Sequence, residues 1–162
     1  MYNKKFIVSA IIGVIILIIL YFSTGYITSN NISNLTDLWI HEVAINHNPD
    51  AIYNLFCSDA SLLGTVSQIK RTGDDIRKYF DYFAKLPGIE VIGKQYNISK
   101  ITHNVYINSA FIIWNWDGLP EPVTARMTFI YRNNCIFQLH SSTLPPINRN
   151  LLEISGNLRI KK

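Results

Sequence analysis

The feature that most constrains this chain is an uninterrupted apolar stretch close to its N-terminus. Every residue from Phe6 to Phe22 is apolar or small, apart from one serine and one tyrosine, and no charged residue or histidine occurs between Phe6 and Thr36. At about 1.5 Å per residue, a helix over residues 6–27 would reach roughly 33 Å, enough to cross a hydrocarbon core of about 30 Å. The stretch therefore predicts a transmembrane signal-anchor helix in contact with the lipid bilayer.

The charges that flank this span predict its orientation. Lys4 and Lys5 precede the apolar stretch and nothing charged follows it closely, so the positive-inside rule places residues 1–5 in the cytoplasm and the rest of the chain beyond the membrane. A cleavable signal peptide is the main alternative, because small residues from Ser23 to Gly25 offer a cleavage site, although its apolar core would be shorter. A buried helix of a soluble protein is a third alternative.

The remaining length accommodates one domain with a core. We expect a polar spacer over residues 28–34, a domain over 35–146 and a basic-ended tail over 147–162. The net charge of +4 includes the two lysines that precede the span, so the rest of the chain is close to neutral. This balance indicates that nucleic acid is not a partner.

Apolar periodicity changes from helical to extended near Gly88. Before it, apolar residues recur at helical spacing around Trp39, after Pro49 and after Asp74. After it, β-branched and aromatic residues dominate four runs separated by turn residues, namely 89–102, 105–116, 123–132 and 135–143. Helices followed by a meander of long strands predict an α+β domain in which helices pack on a curved antiparallel sheet.

Four segments carry a family resemblance. They are Trp39 with 48–56, Arg71–Phe80, Ala125–Tyr131 and His140–Pro145. In these segments the chain resembles the association domain of calcium/calmodulin-dependent protein kinase II and related bacterial proteins, within the nuclear-transport-factor-2-like superfamily. The resemblance implies a cone-shaped fold with a cavity between helices and sheet, and assembly into oligomers through the sheet face. One departure is Leu139, where relatives tend to carry a histidine before the one corresponding to His140.

Strand alternation predicts which side chains face that cavity. Arg126 lies in one strand, and His140 and Ser142 share a face of the next strand. We expect all three to line the cavity, with Trp39 and Tyr79 contributing from the helical side. A guanidinium there would need an acceptor, so the pocket would receive a small polar or anionic ligand, or else Arg126 would form a buried ion pair that fixes the fold.

Two further sets of residues would matter in an extracytoplasmic compartment. Cys57 and Cys135 could form a disulfide in an oxidising environment or remain as two thiols. Three sequons are potential glycosylation sites, at Asn31, Asn34 and Asn97.

Two hypotheses for function follow. Trp114 and Trp116 share one strand face while Phe111 and Ile113 share the other, so one face would be core and the other a subunit interface or a surface covered by the tail. Together with the absence of a complete catalytic set, a metal-ligand spacing or a cofactor motif, this favours a membrane-tethered binding or oligomerisation module. The alternative is a small cavity enzyme of the ketosteroid-isomerase or cyclase type, which would need a carboxylate with a raised pKa in the cavity.

Overall fold

The computed structural model describes residues 29–65 and 69–143. Their elements are α1 (Ser29–Ala44), α2 (Pro49–Asn54), β1 (Phe56–Leu63), β2 (Lys70–Thr72), α3 (Asp74–Phe83), β3 (Glu90–Thr102), β4 (Val105–Asn115), β5 (Val123–Arg132) and β6 (Cys135–Thr143). In this part of the chain no helix has the length and apolarity needed to cross a membrane. The predicted segments 1–5, 6–27 and 147–162 lie outside the described residues.

The first helix begins earlier than the sequence analysis predicted. Residues 28–34 were expected to be a polar spacer, but α1 starts at Ser29, and the side chain of Ile32 is fully buried. Ile32 lies at helical spacing from Thr36, Trp39 and Val43, which are also buried. The spacer prediction is therefore wrong from Ser29 onward, because one buried isoleucine outweighs the polar residues around it, and those face solvent.

The next two helices have recognisable starts. Asn48 caps α2, since its side-chain oxygen accepts a hydrogen bond of 3.1 Å from the Ala51 backbone N–H, and Pro49 occupies the first turn. Asp74 and Asp75 open α3, where negative charge is favourable at the positive end of the helix dipole. Both helices pack with α1 on one face of the sheet.

The six strands form one sheet in the order β2-β1-β6-β5-β4-β3. All neighbours are antiparallel except β1 and β6, which are parallel. The predicted antiparallel sheet is thus corrected to a mixed one. The antiparallel pairing of β3 to β6 with their chain neighbours agrees with the prediction. Asn133 and Asn134 both adopt positive φ in the β5–β6 turn, as a two-residue hairpin connection requires.

The core lies between the helices and the inner face of the sheet. Trp39 of α1 is its central residue, with ring centroids 5.8 Å from Phe80, 6.0 Å from Trp114 and 5.2 Å from Phe129. All three contacts are edge-to-face, an arrangement that adds to the stabilisation from buried area. One indole therefore joins α1 to α3 and to two neighbouring strands, β4 and β5.

The domain has two distinct ends. At the hairpin end, the turns β3–β4 and β5–β6 lie side by side, since the Asn133 N–H donates to the Asn104 carbonyl. The first turns of α1 belong to this end, because Asn31 and Asn134 line one shallow depression. At the open end, β4 ends at Asn115 and β5 begins at Val123.

A disulfide joins Cys57 of β1 to Cys135 at the start of β6. It therefore links the two parallel strands at the hairpin end of the domain. The two cysteines are separated by 78 residues in the chain.

Replacing both cysteines by serine is expected to lower the free energy of unfolding by about 4 to 5 kcal/mol, because the disulfide closes a long loop in the unfolded chain. Urea denaturation of the full-length protein, followed by tryptophan fluorescence, measures this difference. A reductant should destabilise the wild type and leave the serine variant unchanged. Equal urea midpoints for the oxidised wild type and the serine variant would contradict the prediction.

A candidate ligand cavity at the open end of the sheet

A cavity of about 250 Å³ lies between the helices and the open end of the sheet. Its walls come from α1, from α3, from β1 with the two residues that follow it, and from the inner faces of β4, β5 and β6. Six of the lining side chains are aromatic, namely Trp39, Tyr79, Phe80, Phe83, Trp114 and Trp116. Most of the others are aliphatic or small, so the cavity is predominantly apolar, and its volume is just below the usual range of small-molecule sites, which starts at about 300 Å³.

The aromatic walls are built from packed pairs. Phe83 contacts three of the other rings. The centroid of its ring lies 5.9 Å from that of Tyr79 in a stacked arrangement, and 5.4 Å and 6.4 Å from those of Trp114 and Trp116 in edge-to-face contacts. Because α3 places Tyr79 and Phe83 one turn apart, both rings project from the same side of the helix. These contacts fix the rings and hold the space between them open.

Polar groups in the cavity are few and mostly hydroxyls. The Thr65 Oγ1 and Ser141 Oγ atoms are 2.5 Å apart and share a hydrogen bond. The Thr65 backbone N–H also donates to the Tyr79 phenol oxygen. We call Thr65, Tyr79 and Ser141 the hydroxyl cluster.

Burial raises the pKa of the Tyr79 phenol, and the nearby Arg71 guanidinium, 4.8 Å from the ring centroid, acts in the opposite direction. The phenol is therefore protonated at neutral pH. Its close approach to the strand depends on Gly64, because a Cβ at that position would lie 2.7 Å from the tyrosine ring.

One buried donor in the cavity wall has no acceptor. Trp39 lines the cavity and is 1% exposed, and its indole N–H has no hydrogen-bond partner within the described residues. A buried donor without a partner costs free energy. The nitrogen itself is covered by protein atoms, so this unpaired donor belongs to the packed core rather than to the accessible surface of the cavity.

The predicted site residues are divided between the two faces of the sheet. Trp39 and Tyr79 line the cavity, whereas Arg126, His140 and Ser142 are exposed and lie on the outer face. The prediction that these three line the cavity is wrong. The alternation of the strands does place these three residues on one face of the sheet, but that face is the exposed one, and the residues between them face the core.

The physical reason is the cost of burying charge. In β5 the inner row consists of Ala125, Met127, Phe129 and Tyr131, all buried. Facing this apolar row inward buries it without cost, and leaves the guanidinium of Arg126 in solvent, whereas the reverse choice would bury an ion. Arg126 instead lies over the Phe111 ring on the outer face, 5.9 Å from its centroid.

A second polar network lies deeper, towards the hairpin end, and the sequence analysis missed it. The Thr36 hydroxyl donates to the Ile32 carbonyl and accepts from the Asn108 amide at 2.9 Å, while its oxygen lies 2.8 Å from the Tyr131 phenol oxygen. Burial raises the pKa of Tyr131. The signal for this network was present, since Asn108 has the same strand parity as Trp114 and Trp116, which were predicted to share one face of the strand.

The same end of α1 carries an ionic cluster on its surface. The Asp37 carboxylate accepts hydrogen bonds of 2.5 Å from the Lys94 ammonium and from the Tyr96 phenol. Burial opposes ionisation of Asp37, but these hydrogen bonds hold its pKa below the ordinary value. Burial and the adjacent carboxylate raise the pKa of Tyr96.

The remaining predicted modification sites are on the surface. Asn31 and Asn34 are exposed on α1, and Asn97 is exposed on β3.

Within residues 29–65 and 69–143, no group of three or more histidine, cysteine, aspartate or glutamate side chains could hold a metal ion.

Comparisons with known proteins identify the fold. No family model matches the chain, and no curated protein matches it significantly. Among solved structures, a Xanthomonas campestris protein assigned as a calcium/calmodulin-dependent protein kinase II association domain matches with a TM-score of 0.63 and 23% identity, covering 74% of this chain and 90% of that one. A Streptomyces avermitilis protein of the nuclear-transport-factor-2-like family, assigned as a dehydratase, matches with a TM-score of 0.63 and 8% identity, covering 72% and 96%.

A Parabacteroides distasonis protein assigned as a ketosteroid isomerase also matches, with a TM-score of 0.52 and 17% identity, covering 71% of this chain and 86% of that one. At these identities the matches define fold alone, and they include both an association domain and small cavity enzymes. The resemblance predicted from the sequence is confirmed at that level. The chain contains an α+β domain with the nuclear-transport-factor-2-like fold, and its structure matches that of an association-domain-like protein.

Proposed function

We propose that this domain is a membrane-tethered binding and oligomerisation module whose cavity takes up a small, largely apolar molecule. The observation that carries the proposal is the aromatic cavity of about 250 Å³, held open by the packed rings of Phe83 and its neighbours. The earlier expectation of a polar or anionic ligand depended on Arg126, which lies on the other face of the sheet.

The lining residues favour binding over proton-transfer catalysis. An enzyme of the ketosteroid-isomerase type needs a carboxylate or imidazole base within reach of its substrate. Among the described residues that line the cavity none is aspartate, glutamate or histidine. The carboxylates with shifted pKa values are Asp37, Asp59, Asp74 and Asp81, and each shift is downward, opposite to the direction that a general base requires.

The outer sheet face supports the oligomerisation part of the proposal. On this face Phe111 of β4 is 43% exposed, and Ile113, two residues further along the same strand, is half-buried. Across β5, Arg126 contributes a guanidinium over the phenyl ring. Aromatic residues and arginine are enriched at protein interfaces, and a face of this kind can pair with the same face of a second copy about a two-fold axis.

The tether rests on the sequence alone. The uncharged stretch 6–27 ends just before α1, which starts at Ser29. We propose that this stretch crosses the bilayer, that residues 1–5 are cytoplasmic and that the domain is extracytoplasmic.

Small aromatic molecules are expected to bind in the cavity and to shift the indole N–H signals of Trp39 and Trp114 in NMR titrations of the full-length protein. Ala125→Leu fills part of the cavity from β5, so it should weaken this binding at least tenfold. Thr124→Leu is the matched control, because the neighbouring residue of the same strand faces outward. If Ala125→Leu binds as well as the control, the probes occupy some other site.

Phe111→Lys is expected to convert the oligomer to monomers, because two lysines would face each other across a two-fold interface. Native mass spectrometry of the full-length protein released from detergent measures the species. Tyr82→Lys is the control, since Tyr82 is 67% exposed on α3, away from the sheet face. A wild type that is monomeric at micromolar concentration would refute the proposed interface.

The full-length protein is expected to remain in the membrane fraction after carbonate washing, because its uncharged span cannot leave the bilayer without exposing apolar surface. A chain that starts at Thr28 should be released by the same wash. Protease added from the extracytoplasmic side should reach the domain. Release of the full-length protein, or a mature N-terminus near Ser23, would show that the segment is not an anchor.

A further inference from the structure

The polar groups of the cavity wall restrict which ligands can bind, in addition to the volume and the apolar character of the cavity. Apart from the aromatic rings, the polar side chains among the described lining residues are hydroxyls, and none is a carboxylate, an amide or a cation. This distribution constrains both the charge and the hydrogen-bonding group of a ligand.

The cavity offers a charged ligand no opposite charge among its described lining residues. An ion in a cavity with mostly aromatic and aliphatic walls loses its hydration and needs an opposite charge in return. Arg126 cannot supply one, because it lies on the outer face. Arg71 lies over the Tyr79 ring rather than among the lining residues. A ligand therefore enters this cavity without a net charge.

The hydroxyl cluster presents protons to the cavity. A single hydrogen bond joins Thr65 Oγ1 to Ser141 Oγ, so one of the two hydroxyl protons is used and the other can still be donated. The Tyr79 oxygen already accepts from the Thr65 backbone N–H, which leaves the phenol proton to donate. Because burial raises the pKa of this phenol, the proton is retained at neutral pH.

We propose that the cavity binds a flat, uncharged, mostly apolar molecule bearing one carbonyl-type oxygen, which accepts hydrogen bonds from the donors of the cavity wall. This inference rests on the proposed binding function and specifies its ligand class. The planar body packs between the rings of the wall, and the oxygen lies against the hydroxyl cluster.

Three probes of similar size separate the properties involved. Acetophenone is neutral and carries a carbonyl, ethylbenzene is neutral and lacks an acceptor, and benzoate is an anion at pH 7. Each is titrated into the full-length protein while the indole N–H signals are recorded, with the Trp39 signal identified by its loss in Trp39→Phe. Acetophenone is expected to bind about tenfold more tightly than either of the others, the difference that about 1.4 kcal/mol of hydrogen bonding produces.

The donors are tested with an isosteric pair of changes. Thr65→Val with Ser141→Ala removes both hydroxyls and should lower the affinity for acetophenone at least threefold while leaving that for ethylbenzene unchanged or improved. The matched control is Thr128→Val with Ser142→Ala, which removes the same groups from the outer face and should change neither affinity. Urea midpoints of both variants establish that each is folded.

The outcomes distinguish the two proposals. If none of the three probes binds, the binding function itself fails. If ethylbenzene or benzoate binds as tightly as acetophenone, the cavity is a binding site but the carbonyl inference is overturned. Equal losses of acetophenone affinity in the inner and outer double variants would also overturn it, because the hydroxyl cluster would then have no special part in recognition.

Discussion

The packing of the Trp39 indole is the contact on which the rest of the domain depends. It meets Phe80 of α3 and both Trp114 and Phe129 of the sheet, so the helical layer and the strands share one fixed point. Its ring forms part of the floor of the cavity, and its N–H remains unpaired within the described residues. Burial of this large aromatic side chain stabilises the fold, although its unpaired N–H donor costs part of the free energy gained.

Much of the fold could be predicted from the sequence, because its signals were local. The change from helical to alternating periodicity marked the helices and the four long strands, and Asn133 and Asn134 marked a hairpin. The parallel pairing of β1 with β6 could not be predicted in this way, since it joins strands that are distant in the chain and leaves no local trace. The start of α1 was missed because one buried residue, Ile32, lies among serines and asparagines.

The candidate site was predicted only from its helical side. Trp39 and Tyr79 belong to helices whose apolar faces can be assigned without ambiguity. In a strand with polar residues in one row and apolar residues in the other, either row could face the cavity. The prediction for Arg126 and His140 assumed contact with a ligand and neglected the free energy needed to remove a charged side chain from water. The apolar row from Ala125 to Tyr131 shows which effect dominates: four buried side chains decide the orientation of a strand more strongly than a single plausible contact does.

The two ends of the domain have different neighbours. The first turns of α1 lie at the hairpin end, next to Asn134, while the cavity lies at the end where β4 stops and β5 begins. Whatever precedes Ser29 in the chain is therefore joined to the side of the domain opposite its cavity. A membrane attached through that helix would lie behind the site rather than over it, so that exchange of ligand would take place with the aqueous phase and not with the lipid.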